Sequence, residues 1–307
     1  MNILVTGANG FLGQHLLKYF SAGEWNITGA SRGKRRVPED ITSGYMAADL
    51  TDKEAVEAIV KTVQPQVIIH AAAISKPDDC ENNKSYCLQN NVEATSHLLQ
   101  AFKLVQTPAP LFIYLSTDFV FGDNGPHGED DVKEPLNFYG QSKLMAEELV
   151  INCGLPCAIV RPVFIYGDVW DGVRPSFLHW VKNSLEAHRT IKVVSDQLRT
   201  PTYAYDICSG INAIIKQQKT GVYHLAGKDV ISPYTMAVTT ARVLGLEEGL
   251  VENVTSETFP EPVKRAKRSG LKIDKAVHEL EYAPVSFEEG VRRTFRLQME
   301  DVADGRF

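Results

Sequence analysis

Along the first half of the chain, short apolar runs alternate with amphipathic stretches of helical period, the pattern of strands joined by crossover helices. Residues 2–5, Asn-Ile-Leu-Val, form a first strand, and residues 14–20 a helix behind a glycine-containing turn. Residues 25–31 and 45–48 give a second and a third strand. Thr51 and Glu54 have capping-box spacing and open a helix over 52–63, which Pro65 stops. Residues 67–70, Val-Ile-Ile-His, are the fourth strand; a long helix follows over about 84–105, then a strand from Leu111. Pro135 opens the next helix, and residues 158–161 are the strand after it. The order predicts an α/β fold with a Rossmann-type doubly wound parallel sheet. After Arg161-Pro162 the alternation loosens: helical patterns over 175–188 and 233–244 are separated by strands at 191–194 and 222–225. A smaller α/β substrate-binding lobe is expected there, discontinuous in sequence. Residues 1–165 plus about 200–225 would make the sheet domain, and about 166–199 plus 226–307 the lobe. The helix over 205–217 would return to the sheet, and a ligand would lie in the cleft between the two.

Three segments carry candidate chemistry. The first strand runs into Thr6-Gly7-Ala8-Asn9-Gly10-Phe11-Leu12-Gly13, followed by helix. Gly7 permits the tight turn, Gly10 lets the backbone approach a pyrophosphate, and Gly13 lets helix pack on strand; the phosphates would sit on the helix N-terminus. A glycine pattern is weak alone, but strand before and helix after are its confirming context. The second segment is Tyr139 with Lys143. Of eleven tyrosines, Tyr139 alone has a lysine four residues on, one helical turn away on the same face. An ammonium there is expected to lower the phenol pKa and suit Tyr139 to proton transfer with a carbonyl or alcohol oxygen. In the third segment, residues 111–118, an apolar strand ends in Ser116-Thr117-Asp118. In isolation these residues read as a turn cap. Beside the other two segments they read as hydroxyls sharing a substrate oxygen with Tyr139, since open α/β sheets bind ligands at strand carboxyl ends.

Composition narrows the classes. The chain has 307 residues, 44% of them hydrophobic, enough for a full core. A net charge of −6 argues against a nucleic-acid binder, and no apolar run approaches the ~20 residues that span a bilayer. The first strand begins at residue 2, without a leader pattern. Five cysteines lack metal-ligand spacing and read as reduced thiols of a cytoplasmic protein; no metal site is expected. After the second strand, Ala30-Ser31-Arg32-Gly33-Lys34-Arg35-Arg36 has no carboxylate before Glu39. An NAD site commonly has an acidic residue there, whereas Ser31 and Arg32 suit a 2′-phosphate, so NADP(H) is the expected cofactor and NAD(H) a possible one. A basic surface loop is the alternative. Arg199 and Arg265 are candidate pyrophosphate donors or surface residues, and His70 reads as a packing residue at a strand end.

On these residues the chain resembles the extended short-chain dehydrogenase/reductase superfamily. Thr6–Gly13, Ser116-Thr117 and Tyr139 with Lys143 match its glycine motif and catalytic triad, here Thr117, Tyr139 and Lys143. Asp49-Leu50 resembles its adenine-contacting pair, His70-Ala71-Ala72-Ala73 its cofactor-lining strand end, and Asn91 its helix asparagine; Asn9, Ser116 and Arg161 complete the cofactor contacts that the resemblance implies. Residues 116–121, 135–140, 196–202 and 265–271, with 286–290, are similar to dTDP-4-dehydrorhamnose reductases of dTDP-rhamnose biosynthesis, which reduce the 4-keto group of a nucleotide-linked deoxysugar. That likeness implies an NAD(P)H-dependent oxidoreductase acting on a nucleotide sugar, with Tyr139 protonating the oxygen, Lys143 also holding the nicotinamide ribose, and a homodimer. Ser75, Asp118, Val163, Arg199 and Arg265 would touch the substrate. Ala266 and Arg268, where the family has proline and asparagine, and the lack of an aromatic after Ala73, put the sugar's identity in question. Two rivals remain. One is a nucleotide-sugar epimerase or dehydratase of the same superfamily. The other is a non-catalytic NADP-binding regulatory subunit like methionine adenosyltransferase subunit beta, of which Pro77-Asp78 and Glu81-Asn82 are reminiscent.

Overall fold

The computed structural model describes residues 1–23, 25–37, 41, 44–105, 109–170, 175–259 and 262–297; Glu39 lies outside them. Its centre is a seven-stranded sheet. In chain order the strands are β1 (Asn2–Thr6), β2 (Asn26–Ser31), β3 (Gly44–Ala47), β4 (Val67–His70), β5 (Leu111–Leu115), β6 (Cys157–Arg161) and, after three short strands introduced below, β10 (Gly221–His224). Across the sheet the order is β10-β6-β5-β4-β1-β2-β3, and all its pairings are parallel. The order reverses between β1 and β4, where a doubly wound sheet opens a crevice at its carboxyl edge.

The inner strands β1, β4 and β5 are mostly apolar because both faces of the sheet are covered there. Ile3 and Val5 of β1, Val67 and Ile69 of β4, and Leu111 and Ile113 of β5 enter one core with α1 (Phe11–Ser21) and α8 (Ala204–Lys216). The intervening Leu4, Ile68 and Phe112 enter the other, with α2 (Lys53–Val63), α5 (Ala94–Lys103) and α6 (Phe138–Ile151). Burying one such aliphatic side chain contributes about 1.5–3 kcal/mol.

Three helix starts differ from the sequence expectation. Asp52, not Thr51, caps α2, accepting from the amides of Glu54 and Ala55, because the Thr51 hydroxyl is taken by Asp49 at 2.9 Å. Asn137, not Pro135, caps α6, accepting from Gly140 N at 3.0 Å. The long helix over 84–105 is α4 (Lys84–Leu88) and α5 joined by a π-helical turn, Gln89–Glu93, and a further short helix, α3 (Pro77–Asn82), precedes it. The π turn inserts a residue and so redirects Asn91, a device common at functional sites.

Beyond β6 the chain forms β7 (Ile165–Tyr166), α7 (Phe177–Glu186), β8 (Ile191–Val194) and β9 (Thr202–Tyr203), and after β10 come α9 (Pro233–Val243) and β11 (Val251–Val254). β8 pairs with β11, and β7 with β9. Val181, Leu185, Ile191, Val193, Ala237, Ala241 and Val251 make a core there, separate from the sheet's two. α10 (Asp274–Leu280) puts Ala276 and Leu280 against the α8 side of the main sheet, and α11 (Phe287–Thr294) packs Phe287 and Val291 on Tyr166 and Met236. No helix among the described residues is long and apolar enough to cross a membrane.

Candidate active site

The glycine turn has the close packing that its spacing predicts. Gly7 has φ +73°, and a Cβ there would stand 2.7 Å from Ala72 N. A Cβ at Gly13 would collide with the Gly7 carbonyl, so α1 lies directly on the turn. Gly10 is the N-cap of α1; no side chain caps the helix, and its first turn holds no acidic residue. These amides can therefore receive an anion. The cleft above them is lined by Gly7, Gly10, Ser31, Arg32, Ala48, Asp49, Leu50, Ala71, Ala72, Ala73, Asn90 and Ala94. Nine of these are expected cofactor residues, drawn from four separate strand ends; Ala48, Asn90 and Ala94 are additions.

Asn9, Phe11, Leu12 and Asn91 shape this cleft from behind. Asn9 donates to the carbonyls of Arg32 and Lys34 and to the Tyr45 hydroxyl, and accepts from Arg36 N, which folds the basic loop toward the glycine turn. Phe11 stacks near His15, and Leu12 is buried in the core. Asn91 accepts from Ile74 N at 2.8 Å, donates to Ile74 O at 3.2 Å and to Ser142 Oγ at 2.9 Å, and so pins the Ala71–Ala73 segment to α6. Burial opposes the charge of Asp49, yet hydrogen bonds from the Thr51 backbone and side chain, with Arg32 nearby, hold its carboxyl below the usual range. His70 is fully buried between Thr6 and Thr95, and burial drives its imidazole down to about 3, so it is a neutral packing residue.

Tyr139 and Lys143 lie in the first two turns of α6, both buried, at the carboxyl end of β5. A Cβ on Gly140 would strike the Phe119 carbonyl, so α6 sits against the turn that follows Thr117. This brings Tyr139 close to the Thr117 hydroxyl, whose hydrogen-bond partners are Asp118 Oδ1 at 3.1 Å and Phe119 N at 3.3 Å. Lys143 Nζ donates to Leu115 O at 2.7 Å and lies 4.1 Å from the centroid of the Tyr114 ring. Burial raises the Tyr139 phenol above its ordinary value; the hydrogen bond with Thr117 opposes the rise, while Asp118, Cys80 and Cys87 add to it. This corrects the expectation that Lys143 lowers it. The reason is that burial drives Lys143 itself down to about 7, against the pull of Glu147, so its positive charge is only partly present at neutral pH.

The remaining expected residues divide. Ser116, at the end of β5, has a buried hydroxyl without a hydrogen-bond partner. Asp118 is buried, and accepts from the Thr117 hydroxyl at 3.1 Å. Burial raises its carboxyl, opposed by Arg199 and by hydrogen bonds from Ser269 and Thr117. Arg199 donates to Ser269 Oγ at 2.9 Å and also to Gln197. Arg265 pairs with Asp78 at 3.2 Å, and Ser75 is exposed just past β4. Arg161 is committed elsewhere: its guanidinium grips Glu147 of α6 at 2.9 and 2.6 Å, with both side chains 1% exposed. Val163 is spent in an apolar cluster with Val120, Phe121, Ala226 and Leu271. Sequence reasoning missed Asn137, Gly140 and Glu147, which aim Tyr139 and Lys143. The Asn-Phe-Tyr-Gly run held a signal for the first two; nothing local marked Glu147. Among the described residues no cluster of three metal-ligating side chains occurs.

A parallel sheet that reverses between β1 and β4, a glycine turn under its crevice, and a Thr117-Tyr139-Lys143 group at the next strand end define an extended short-chain dehydrogenase/reductase. The chain belongs to the RmlD substrate binding domain family, whose model matches residues 1–299. It is similar to methionine adenosyltransferase 2 subunit beta of Pongo abelii, 30% identical over 87% of this chain and 78% of that one. Among solved structures it is similar to the dTDP-4-dehydrorhamnose reductase of Bacillus anthracis in complex with NADP, at 26% identity and TM-score 0.84 over 96% and 99% of the two chains. It is also similar to a UDP-glucuronic acid 4-epimerase of Bacillus cereus in complex with UDP-glucuronic acid and NAD, at 25% identity and TM-score 0.82 over 96% and 98%.

Proposed function

We propose that this protein is an NAD(P)H-dependent oxidoreductase that reduces the 4-keto group of a nucleotide-linked deoxysugar, as dTDP-4-dehydrorhamnose reductases do. The observation that carries the reading is that Thr117, Tyr139 and Lys143 are all buried together at the open end of the sheet, beside the glycine-turn cleft. A phenol there can give its proton to a ketone oxygen. Reduction needs an acid at the ketone oxygen, whereas epimerases and dehydratases begin by oxidising an alcohol and need a base there. The residues around the cleft suit a dinucleotide: uncapped α1 amides for the pyrophosphate, Asp49 and Leu50 for the adenine, Ser31 and Arg32 for a 2′-phosphate. When bound, the reduced nicotinamide supplies the hydride. Tyr139 gives its proton to the oxygen, Thr117 orients the phenol, and Lys143, near neutrality in its proton affinity, replaces that proton. Arg265, paired with Asp78 of α3, is the residue we assign to an anionic part of the substrate. The five free thiols fit a reducing, cytoplasmic setting, and the lobe of β8, β11, α7 and α9 is the expected sugar-nucleotide side of the cleft.

A second reading rests on the 30% identity to a methionine adenosyltransferase subunit beta: the fold would then serve partner binding. The test is oxidation of added NADPH with dTDP-4-dehydrorhamnose. Stoichiometric consumption supports the reductase; cofactor binding with no net consumption on any nucleotide keto-sugar rejects it in favour of an epimerase or a binding subunit.

A further inference from the structure

Two thiols lie against Tyr139 that the reaction as written does not use. α3 buries one side chain, Cys80, and α4 buries one, Cys87. Both are 0% exposed, and their sulfurs meet at 2.7 Å. With Tyr139 they form a small cluster on which Ile74, Phe119 and Phe138 pack. The buried faces of the two helices thus meet at sulfur. Thiols already in contact need only a small closure to reach the bond length of a disulfide.

The surroundings give the two sulfurs different parts. Cys80 donates to Ile74 O at 3.6 Å, whereas Cys87 Sγ receives Asn91 Nδ2 at 3.4 Å and donates toward Ser142 Oγ at 3.3 Å. The Cys80 thiol beside it holds Cys87 below the ordinary thiol range, against burial, with Ser142 and Lys143 adding to the effect. Cys87 is therefore the readier thiolate, the form that reacts, and Cys80 its resolving partner. Both lie one layer below solvent: Asp79, Asn82 and residues 83–86 are exposed. Helices of six and five residues with one buried side chain each open locally at low cost, and such opening admits a small oxidant.

We propose that Cys80 and Cys87 are a redox site, which a hydroperoxide converts to an intramolecular disulfide that slows the enzyme by displacing Tyr139. The Cys87 thiolate attacks one peroxide oxygen and the O–O bond breaks. The leaving oxygen takes a proton and departs as water or an alcohol, and Cys87 becomes a sulfenic acid. The Cys80 sulfur then attacks the Cys87 sulfur, the S–O bond breaks, and the oxygen leaves as water with the Cys80 proton. Two electrons pass from the thiols to the hydroperoxide, and a dithiol reductant reverses the bond.

The link to Tyr139 runs through neighbouring contacts. Ser142 Oγ, beside Cys87, donates to Tyr139 O at 2.7 Å, and Glu81 of α3 accepts from Phe138 N, at the start of α6, at 3.2 Å. Closing the sulfurs removes the Cys87 proton and draws α3 toward α4, so it pulls on the turn that carries Tyr139. A misplacement of about 1 Å can cost about a hundredfold in rate. The kinetic consequence rests on the reductase reading; formation of the disulfide does not.

The test treats reduced native protein with sub-millimolar hydrogen peroxide, removes the peroxide and alkylates the remaining thiols. Trypsin cuts after Lys84, between the two cysteines, so the bond appears in mass spectrometry as two joined peptides. The joined peptides are expected, with kcat lowered at least about tenfold and restored by dithiothreitol. Cys87→Ala, compared with itself before and after peroxide, should keep kcat within about twofold; if it does not fold, Cys87→Ser takes its place. A substrate-free readout is the Tyr139 signal in protein labelled with ¹³C at tyrosine Cζ, assigned by its loss in Tyr139→Phe. It should move on oxidation and return on reduction. Absence of the joined peptides would overturn the proposal, including the case in which Cys153 and Cys157, with sulfurs 3.2 Å apart, take the oxidant instead. So would joined peptides with kcat and the Tyr139 signal unchanged, or an equal loss of kcat in Cys87→Ala. If the native protein turns over no keto-sugar while the joined peptides form and the Tyr139 signal moves, the reductase reading fails and the redox site stands.

Discussion

Replacing Glu147 by glutamine leaves the guanidinium of Arg161 buried without its counter-charge. The two side chains are 1% exposed, joined by two charge-assisted hydrogen bonds, and they tie the middle of α6 to β6. Arg161 keeps only weaker company: the Glu129 carbonyl at 3.3 Å, His224 Nε2 at 3.3 Å and the face of Phe121 at 5.0 Å. Breaking a buried pair from one side costs about 3–5 kcal/mol. With an unfolding entropy of about 2.1 cal/mol/K per residue, a cost of about 4 kcal/mol lowers Tm by about 6 °C for a chain of this length. Glu147 also raises the proton affinity of Lys143, so the variant's Lys143 should be neutral at pH 7 and kcat lower than the stability loss alone explains. Urea denaturation and calorimetry check the first effect, and the pH–rate profile the second. The double change Glu147→Leu with Arg161→Met is expected to recover most of the stability, since both charges are then gone. A Glu147→Gln variant less than about 1 kcal/mol below native, or a double variant no more stable than the single, would refute the reasoning.

Further outcomes follow from the site. Tyr139→Phe is expected to lower kcat/KM at least about a hundredfold while NADPH binding, followed by fluorescence, stays within about twofold. Lys143 has a folded pKa near 7, below its ordinary 10.5; between these values the unfolded chain binds the extra proton, so stability rises with pH across that window. Lys143→Met abolishes that contribution, which denaturant titrations of the two proteins at pH 6.5 and 9 would reveal as a smaller gain in the variant. Arg32→Ala should weaken NADPH about tenfold and NADH much less, measured by calorimetric titration, because a guanidinium fork matches the 2′-phosphate that NADH lacks. Gly140→Ala pushes a Cβ into the Phe119 carbonyl; it should lower kcat more than it raises KM, and thermal unfolding run in parallel shows how much is lost stability.

The glycine turn, the sheet and the Thr117-Tyr139-Lys143 group were legible because each is written in a contiguous stretch, where period and spacing carry the geometry. Gly7, Gly10 and Gly13 announce close approaches that the structure contains. What was not legible depends on partners distant in sequence. Arg161 is a buried helix anchor because Glu147 lies opposite it, and Val163 is core because Val120, Phe121, Ala226 and Leu271 converge there. Asp118 and Arg199 border one small cavity although about eighty residues of chain separate them. The direction of the Tyr139 shift was misjudged for the same reason: spacing placed a lysine one turn away, but spacing does not reveal that burial weakens that lysine's own charge. Caps went wrong where two candidates adjoined, since Thr51 is consumed by Asp49 and leaves Asp52 to the helix.

The most direct test follows the hydride itself. Purified protein, NADPH carrying deuterium at the nicotinamide C4 in the transferred position, and dTDP-4-dehydrorhamnose are mixed, and the sugar nucleotide is weighed by mass spectrometry. The account predicts one deuterium retained at C4 of the sugar for each NADPH consumed, and almost none with Tyr139→Phe in the same interval. A product without deuterium, or deuterium entering the sugar at the native rate without Tyr139, would contradict it.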